Sequence, residues 1–117
     1  MKKQIKEFIE FELKLKINKN EVSDFYDKIK TENDFYIEIN GTEYRIIKED
    51  IIWDVYVDSI KEIAEEYSDI PNWISIDWEE TAGNCYVDGY GYTFSTYDGS
   101  ELEYKFNNEN YFIFRTN

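Results

Sequence analysis

An α+β domain, with a mainly antiparallel sheet of about five to six strands packed against two to three helices, is the fold class that the sequence predicts. Three observations carry this expectation. Apolar residues alternate at period two over 9–17 and 101–106, they recur at helical spacing over 21–31 and 50–67, and a tight-turn dipeptide, Asn40-Gly41, joins two strand-like runs. The chain has 117 residues, 42% of them hydrophobic and 19% aromatic, which suits one domain spanning 1–117 around one core.

Ile9, Phe11, Leu13, Leu15 and Ile17 alternate with Glu10, Glu12, Lys14 and Lys16, the signature of a half-buried strand. Polar residues Asn18 to Asn20 then open a helix over 21–31, where Val22, Phe25, Tyr26 and Ile29 fall at i, i+3, i+4 and i+7. Asn40-Gly41 suits a type I′ turn, whose two central residues both need positive φ. A two-residue loop pairs Ile39 with Thr42, Ile37 with Tyr44 and Phe35 with Ile46, which gives the hairpin one apolar face. Its other face sets Glu38 against Glu43, a mildly destabilising like-charge pair.

Asp50 is placed to cap a second helix running to about Tyr67, with Ile52, Val55, Tyr56, Ile60, Ile63, Ala64 and Tyr67 as a broad buried stripe. Asp54, Asp58, Glu62 and Glu66 line up along its other side at i,i+4, about 6 Å of rise apart, a spacing like that of phosphates along a nucleic-acid strand. Each like-charge step costs about 0.2–0.5 kcal/mol, so the three together cost on the order of 1 kcal/mol. Stability alone favours Lys at alternate steps, and only Lys61 with Glu65 supplies such a pair on the neighbouring row. A solvated helix face in an acidic protein is the plainer account of the same residues.

Ser68 to Asn72, which includes the only proline, Pro71, ends that helix. Asp77 with Glu80 then forms a capping-box pattern for a third, short helix through about Tyr86, whose first turn carries Glu79. Asp88-Gly89 and Asp98-Gly99 read as turns, with strands at about Gly91–Thr96, Glu101–Phe106 and Tyr111–Arg115 forming a meander. Neither Asp-Gly pair has the ligand spacing of an EF-hand loop. The expected order is β-α-β-β-α-α-β-β-β, with the helices covering one face of the sheet.

Charge is the strongest functional signal. Between Glu49 and Glu103, fifteen Asp and Glu residues stand against Lys61 alone, a formal charge of −14. Residues 1–20 instead hold six Lys and three Glu, or +3, within a chain of net charge −13. AT-rich codon usage accounts for much Ile, Asn, Lys, Glu and Tyr, but Lys is as AT-rich as Glu, so it does not account for the imbalance. A halophilic surface fits the Ile, Lys and aromatic content poorly. A field of this density repels nucleic acid and anionic membranes and attracts basic grooves.

Several chemistries are excluded or disfavoured. There is no His, so triads, His-ligated zinc and imidazole bases are absent. Adjacent carboxylates such as Glu79 and Glu80 point about 100° apart on a helix and form no paired site. No enzyme activity, cofactor or metal is expected. Cys85 is the only cysteine, which precludes an intrachain disulfide and favours a reducing compartment. No apolar run approaches the roughly 18 residues of a membrane span, and the expected location is the cytoplasm of a bacterial host cell.

The run Ile76-Asp77-Trp78-Glu79-Glu80-Thr81-Ala82-Gly83, preceded by Ile63-Ala64-Glu65-Glu66-Tyr67 and Ile70-Pro71 and followed by Phe94-Ser95-Thr96, resembles the C-terminal part of ArdA-type antirestriction proteins. It also looks like other small acidic proteins of phages and mobile elements. The likeness covers about residues 60–117, and Ile76, Asp77 and Trp78 match the Ile-Asp-aromatic pattern of that family. Where the family continues with Gly-Arg-Asp-Leu, this chain has Ala82-Gly83-Asn84-Cys85. The resemblance implies an acidic decoy for a DNA-binding defence enzyme, with a homodimer among the assemblies it suggests.

The expected function is therefore inhibition of a nucleic-acid-binding defence system, anti-CRISPR or antirestriction, by a DNA or RNA mimic that binds a basic protein and not nucleic acid itself. Asp54, Asp58, Glu62, Glu65, Glu66, Asp69, Asp77, Glu79 and Glu80 are the expected contacts. Tyr90, Tyr92 and Tyr97 join them, because the chain has 22 aromatics and Tyr is favoured at interface hot spots. The alternative is an immunity protein or antitoxin that neutralises a basic toxin nuclease.

Overall fold

Strands β2 (Thr42–Lys48) and β4 (Glu109–Arg115) are apolar on both faces, and that decides the architecture. Tyr44, Ile46, Tyr111 and Ile113 face one core, while Ile47, Phe112 and Phe114 face another. The continuous run Tyr111-Phe112-Ile113-Phe114 is how a strand covered on both sides reads. The computed structural model describes residues 2–67, 69–71, 73–86 and 89–117, and in it β2 and β4 lie side by side at the centre of the sheet. The sheet is antiparallel and four-stranded in the order β1-β2-β4-β3, with β1 at Asp34–Ile39 and β3 at Leu102–Phe106.

Helices cover both faces, not one. Helices α1 (Lys2–Phe11) and α2 (Lys19–Thr31) bury Ile5, Ile9, Val22, Phe25 and Ile29 against the first core. Helices α3 (Glu49–Tyr67), α4 (Trp78–Cys85) and the single turn α5 (Gly91–Phe94) bury Ile52, Tyr56, Ala82 and Phe94 against the second. The result is an α/β/α sandwich of α+β class, about 53 × 27 × 23 Å, with four strands and five helices among the described residues.

The β1–β2 hairpin has the expected register, including Glu38 opposite Glu43, and Asn40 and Gly41 have φ of 48° and 82°. A second hairpin joins β3 to β4 through Asn107 and Asn108, also left-handed at 52° and 64°. Helix α2 opens on a full capping box: Asn18 Oδ1 accepts from the Glu21 amide at 2.8 Å, and Glu21 accepts from the Asn18 amide at 3.1 Å. Glu21 also accepts from the Asn40 amide at 2.8 Å, tying the helix to the hairpin turn.

Two expected strands are absent. Ile5, Phe8 and Ile9 follow helical spacing and form α1, so residues 9–11 end a helix. Beyond it Leu13, Leu15 and Ile17 remain half-buried against the first core while Lys14 and Lys16 are exposed, but no strand pairs with the segment and Lys14 is left-handed at φ 55°. The alternation marked burial without a ladder. Residues 91–94 are helical because Tyr90 and Phe94, four apart, both turn into the second core. A Cβ at Gly91 would collide with the Gly99 carbonyl, so only glycine allows this approach. Helix α3 begins at Glu49, which places Asp50 in its first turn and not ahead of it. Ser68, Asn72 and Asp88, to which turns were assigned, lie outside the described residues.

Candidate interaction surface

The sheet divides the charge. Residues 2–33, the α1–α2 layer, hold eight Lys and seven acids, or +1. Residues 49–86, which supply α3 and α4 on the opposite face, hold eleven acids and Lys61, or −10. Most of the net charge of −13 thus belongs to one layer.

Helix α3 carries seven of these acids, with Lys61 among them. Its 19 residues make a helix about 28 Å long. Its first half buries Ile52 and Tyr56, the latter 2% exposed. After Ile60 no residue of the helix is buried: Ile63 is 49% and Tyr67 78% exposed, which corrects their expected place in a buried stripe. Asp54, Asp58, Glu62, Glu65 and Glu66 are all exposed, as is Asp69 beyond the helix. The i,i+4 row is not a straight line along one side, since four residues turn about 400° and each step advances about 40° around the axis. Asp54 points away from the core, and Glu66 has wound round to flank the naked end of the apolar stripe.

Asp77, Glu79 and Glu80 sit at the start of α4, which contacts α3 in the same layer. Asp77 Oδ1 accepts from the Glu80 amide at 3.1 Å, and all three carboxylates complement the positive end of the helix dipole. They therefore serve α4 as well as adding to the acidic face. Their reciprocal capping bond is not made, so the box is half of the one expected.

Little of this charge is neutralised. Lys61 lies 4.0 Å from Glu65, and Arg45, which emerges from the sheet beneath α3, is held by Asp34 through two bonds of 2.9 and 2.7 Å. Those bonds raise the Arg45 pKa against a desolvation penalty, with Glu62 adding a weaker attraction. Among the described residues, no Lys or Arg stands within 4.0 Å of the Asp54, Asp58, Glu62, Glu66, Asp69, Glu79 or Glu80 carboxylates. Nor, among them, do three Asp, Glu or Cys side chains converge as a metal site would require. The acids are spread over a surface, an arrangement suited to contacting several separated cations.

The three tyrosines part company. Tyr90 packs into an aromatic cluster, its ring 5.1–5.6 Å from Tyr56, Tyr86 and Phe112, and burial pushes its hydroxyl pKa up. It is spent on the second core. Tyr92 is exposed on α5, and Tyr97 is exposed with the Arg115 guanidinium stacked 3.7 Å from its ring centroid. Sequence reasoning missed the exposure of Tyr36, Trp73 and Ile74. Among the described residues, no helix is long and apolar enough to cross a membrane. No protein-family model, curated protein or solved structure matches this chain.

Proposed function

We propose that this chain is an inhibitor that occupies a basic nucleic-acid-binding groove on another protein, with the carboxylates of its α3–α4 layer in the places of phosphates. The partner class is a bacterial defence complex of the CRISPR or restriction type, as the likeness of residues 60–117 to antirestriction proteins suggests. One observation supports the reading above the others: most of the net charge of −13 lies in a single layer, and among the described residues it is exposed and largely unpaired. Stability does not ask for this, because like charges at i,i+4 cost free energy and the facing layer of the same fold is balanced. Long-range attraction to a basic groove gives such a layer a use, speeding encounter and fixing orientation.

The test is competition. Labelled target DNA bound to purified CRISPR effector or restriction complexes is titrated with the chain while anisotropy is followed. Release of DNA in proportion to the chain added, weakening as salt rises, is the expected result. Binding to the complex with the DNA still in place would rule out mimicry.

A further inference from the structure

The α1–α2 layer holds a cavity of about 390 Å³, lined by Lys2, Lys3 and Lys6 of α1, by Ile17 and Asn18 just ahead of α2, and by Lys19, Val22 and Ser23 of its first two turns. Four lysines thus surround one opening, and no carboxylate lines it. Among the described residues none of the four stands within 4.0 Å of an acid. The acids of α2 nearest in sequence are engaged elsewhere: Glu21 accepts from the Asn18 and Asn40 amides, and Asp24 lies 3.9 Å from Lys28. Lys2 donates to Ser23 Oγ at 3.4 Å, which links the two helices at the cavity. Lysine in the first turn of a helix opposes the macrodipole, yet Lys2 and Lys3 stand there in α1 and Lys19 in α2. Stability does not ask for them. Ile17, Val22 and the aliphatic lysine stems give the same cavity an apolar wall. Its volume falls at the lower end of the ~300–1,000 Å³ of small-molecule pockets.

We propose that this cavity binds a small organic phosphate, a phosphate monoester on a short apolar stem, with the phosphate among the four ammonium groups and the stem against Ile17 and Val22. A phosphate monoester carries close to two negative charges at neutral pH and three acceptor oxygens, so it engages several ammonium groups at once, which a single carboxylate does less well. The positive end of the α2 dipole, where Asn18 and Lys19 stand, adds to the attraction. The rest of the molecule selects for size. Nucleic acid or an anionic membrane extends beyond the cavity and meets a chain of net charge −13, whereas a ligand confined to the cavity feels chiefly the lysines, because more distant charges are screened over about 8 Å at physiological salt. The cavity lies across the sheet from α3 and α4, so this site stands apart from the use proposed for the acidic layer.

The probe is hexyl phosphate, titrated into the full chain and followed by amide shifts, beside inorganic phosphate and hexanol, which carry the charge and the stem separately. Hexyl phosphate is expected to bind with a Kd of about 1 mM or tighter, and at least about tenfold more tightly than either comparator. Shifts should centre on residues 2–6 and 17–23. Lys3→Gln with Lys19→Gln should weaken binding at least about tenfold, while Lys14→Gln with Lys105→Gln, exposed lysines that do not line the cavity, should leave it within about twofold. The first pair removes cations from helix N-termini, so its thermal midpoint should hold or rise. Should that pair fold poorly, Lys3→Gln alone serves. Vesicles containing phosphatidic acid present the same phosphate at a membrane surface, and the chain is expected not to float with them. Equal affinity for hexyl phosphate and inorganic phosphate, shifts centred elsewhere, equal losses in the two lysine pairs, or capture by the vesicles with the free ester unbound would overturn the proposal.

Discussion

The two helical layers use one sheet, yet they treat charge in opposite ways. On the α1–α2 side, Lys28 approaches Asp24 at 3.9 Å, Lys30 lies over the Tyr26 ring at 4.6 Å, and the acids include the cap of α2. From α3 to α5, the described residues hold a single Lys against eleven acids. Codon bias acts on both layers alike, so the difference between them is not compositional. Each layer is anchored by large buried aromatics, Phe25 in one and Tyr56 in the other, so the fold tolerates the acidic layer without requiring it.

If the layers are equally well built, truncating their anchors should cost similar amounts. Tyr56→Ala and Phe25→Ala are each expected to lose about 3–5 kcal/mol, read from denaturant midpoints. A cost for Tyr56→Ala below about 1 kcal/mol would mean that the acidic layer is loosely held and the comparison unequal. The caps give a finer contrast. Asn18→Ala breaks a reciprocal box that also holds the hairpin turn and should cost about 1–2 kcal/mol, whereas Asp77→Ala removes a single bond and a carboxylate from a crowded face and should cost less. Equal losses would show that repulsion around α4 is negligible.

The smallest effect concerns Tyr104, on the first-core side of β3, stacked 4.1 Å from Phe8 with its hydroxyl buried and without a hydrogen-bond partner among the described residues. Burial pushes its pKa up to about 12 from an ordinary 10.0. Because the folded value is the higher, stability is intact below pH 10 and falls as pH rises from 10 toward 12. Tyr104→Phe should gain about 1 kcal/mol at neutral pH and lose less on alkaline titration than the parent. An unchanged alkaline profile would place that loss at other residues.

Much of this fold is legible in the chain, for local reasons. Asn40-Gly41 sets the first hairpin, Asp77 starts α4, and the spacing from Ile52 to Ile60 shows α3. Misreadings arise where two periods overlap. Ile9 belongs both to the alternation of 9–17 and to the helical set Ile5, Phe8 and Ile9, and burial against α2 decides for the helix. Gly91 to Phe94 is too short to show a period, and the close approach of the Gly99 carbonyl, which leaves no room for a Cβ at Gly91, is revealed by no local pattern. Charge segregation along the chain is visible in the sequence, but the packing of the segment between β2 and β3 on the face opposite α1 and α2 is set by the fold. The winding of the acidic row follows from helix geometry alone.

The central claim is that the charge of the α3 layer serves binding and not stability. It is tested most directly by replacing Asp54, Asp58 and Glu62 with Asn, Asn and Gln, then measuring the thermal midpoint and the affinity for a defence complex whose DNA the parent displaces, at two salt concentrations. The midpoint should hold or rise, because repulsion worth on the order of 1 kcal/mol along the helix is relieved. Affinity should fall at least about tenfold, with a shallower dependence on salt. A triple variant that binds as tightly as the parent, with the same salt dependence, would contradict the account and leave the acidic row as a solvated helix face.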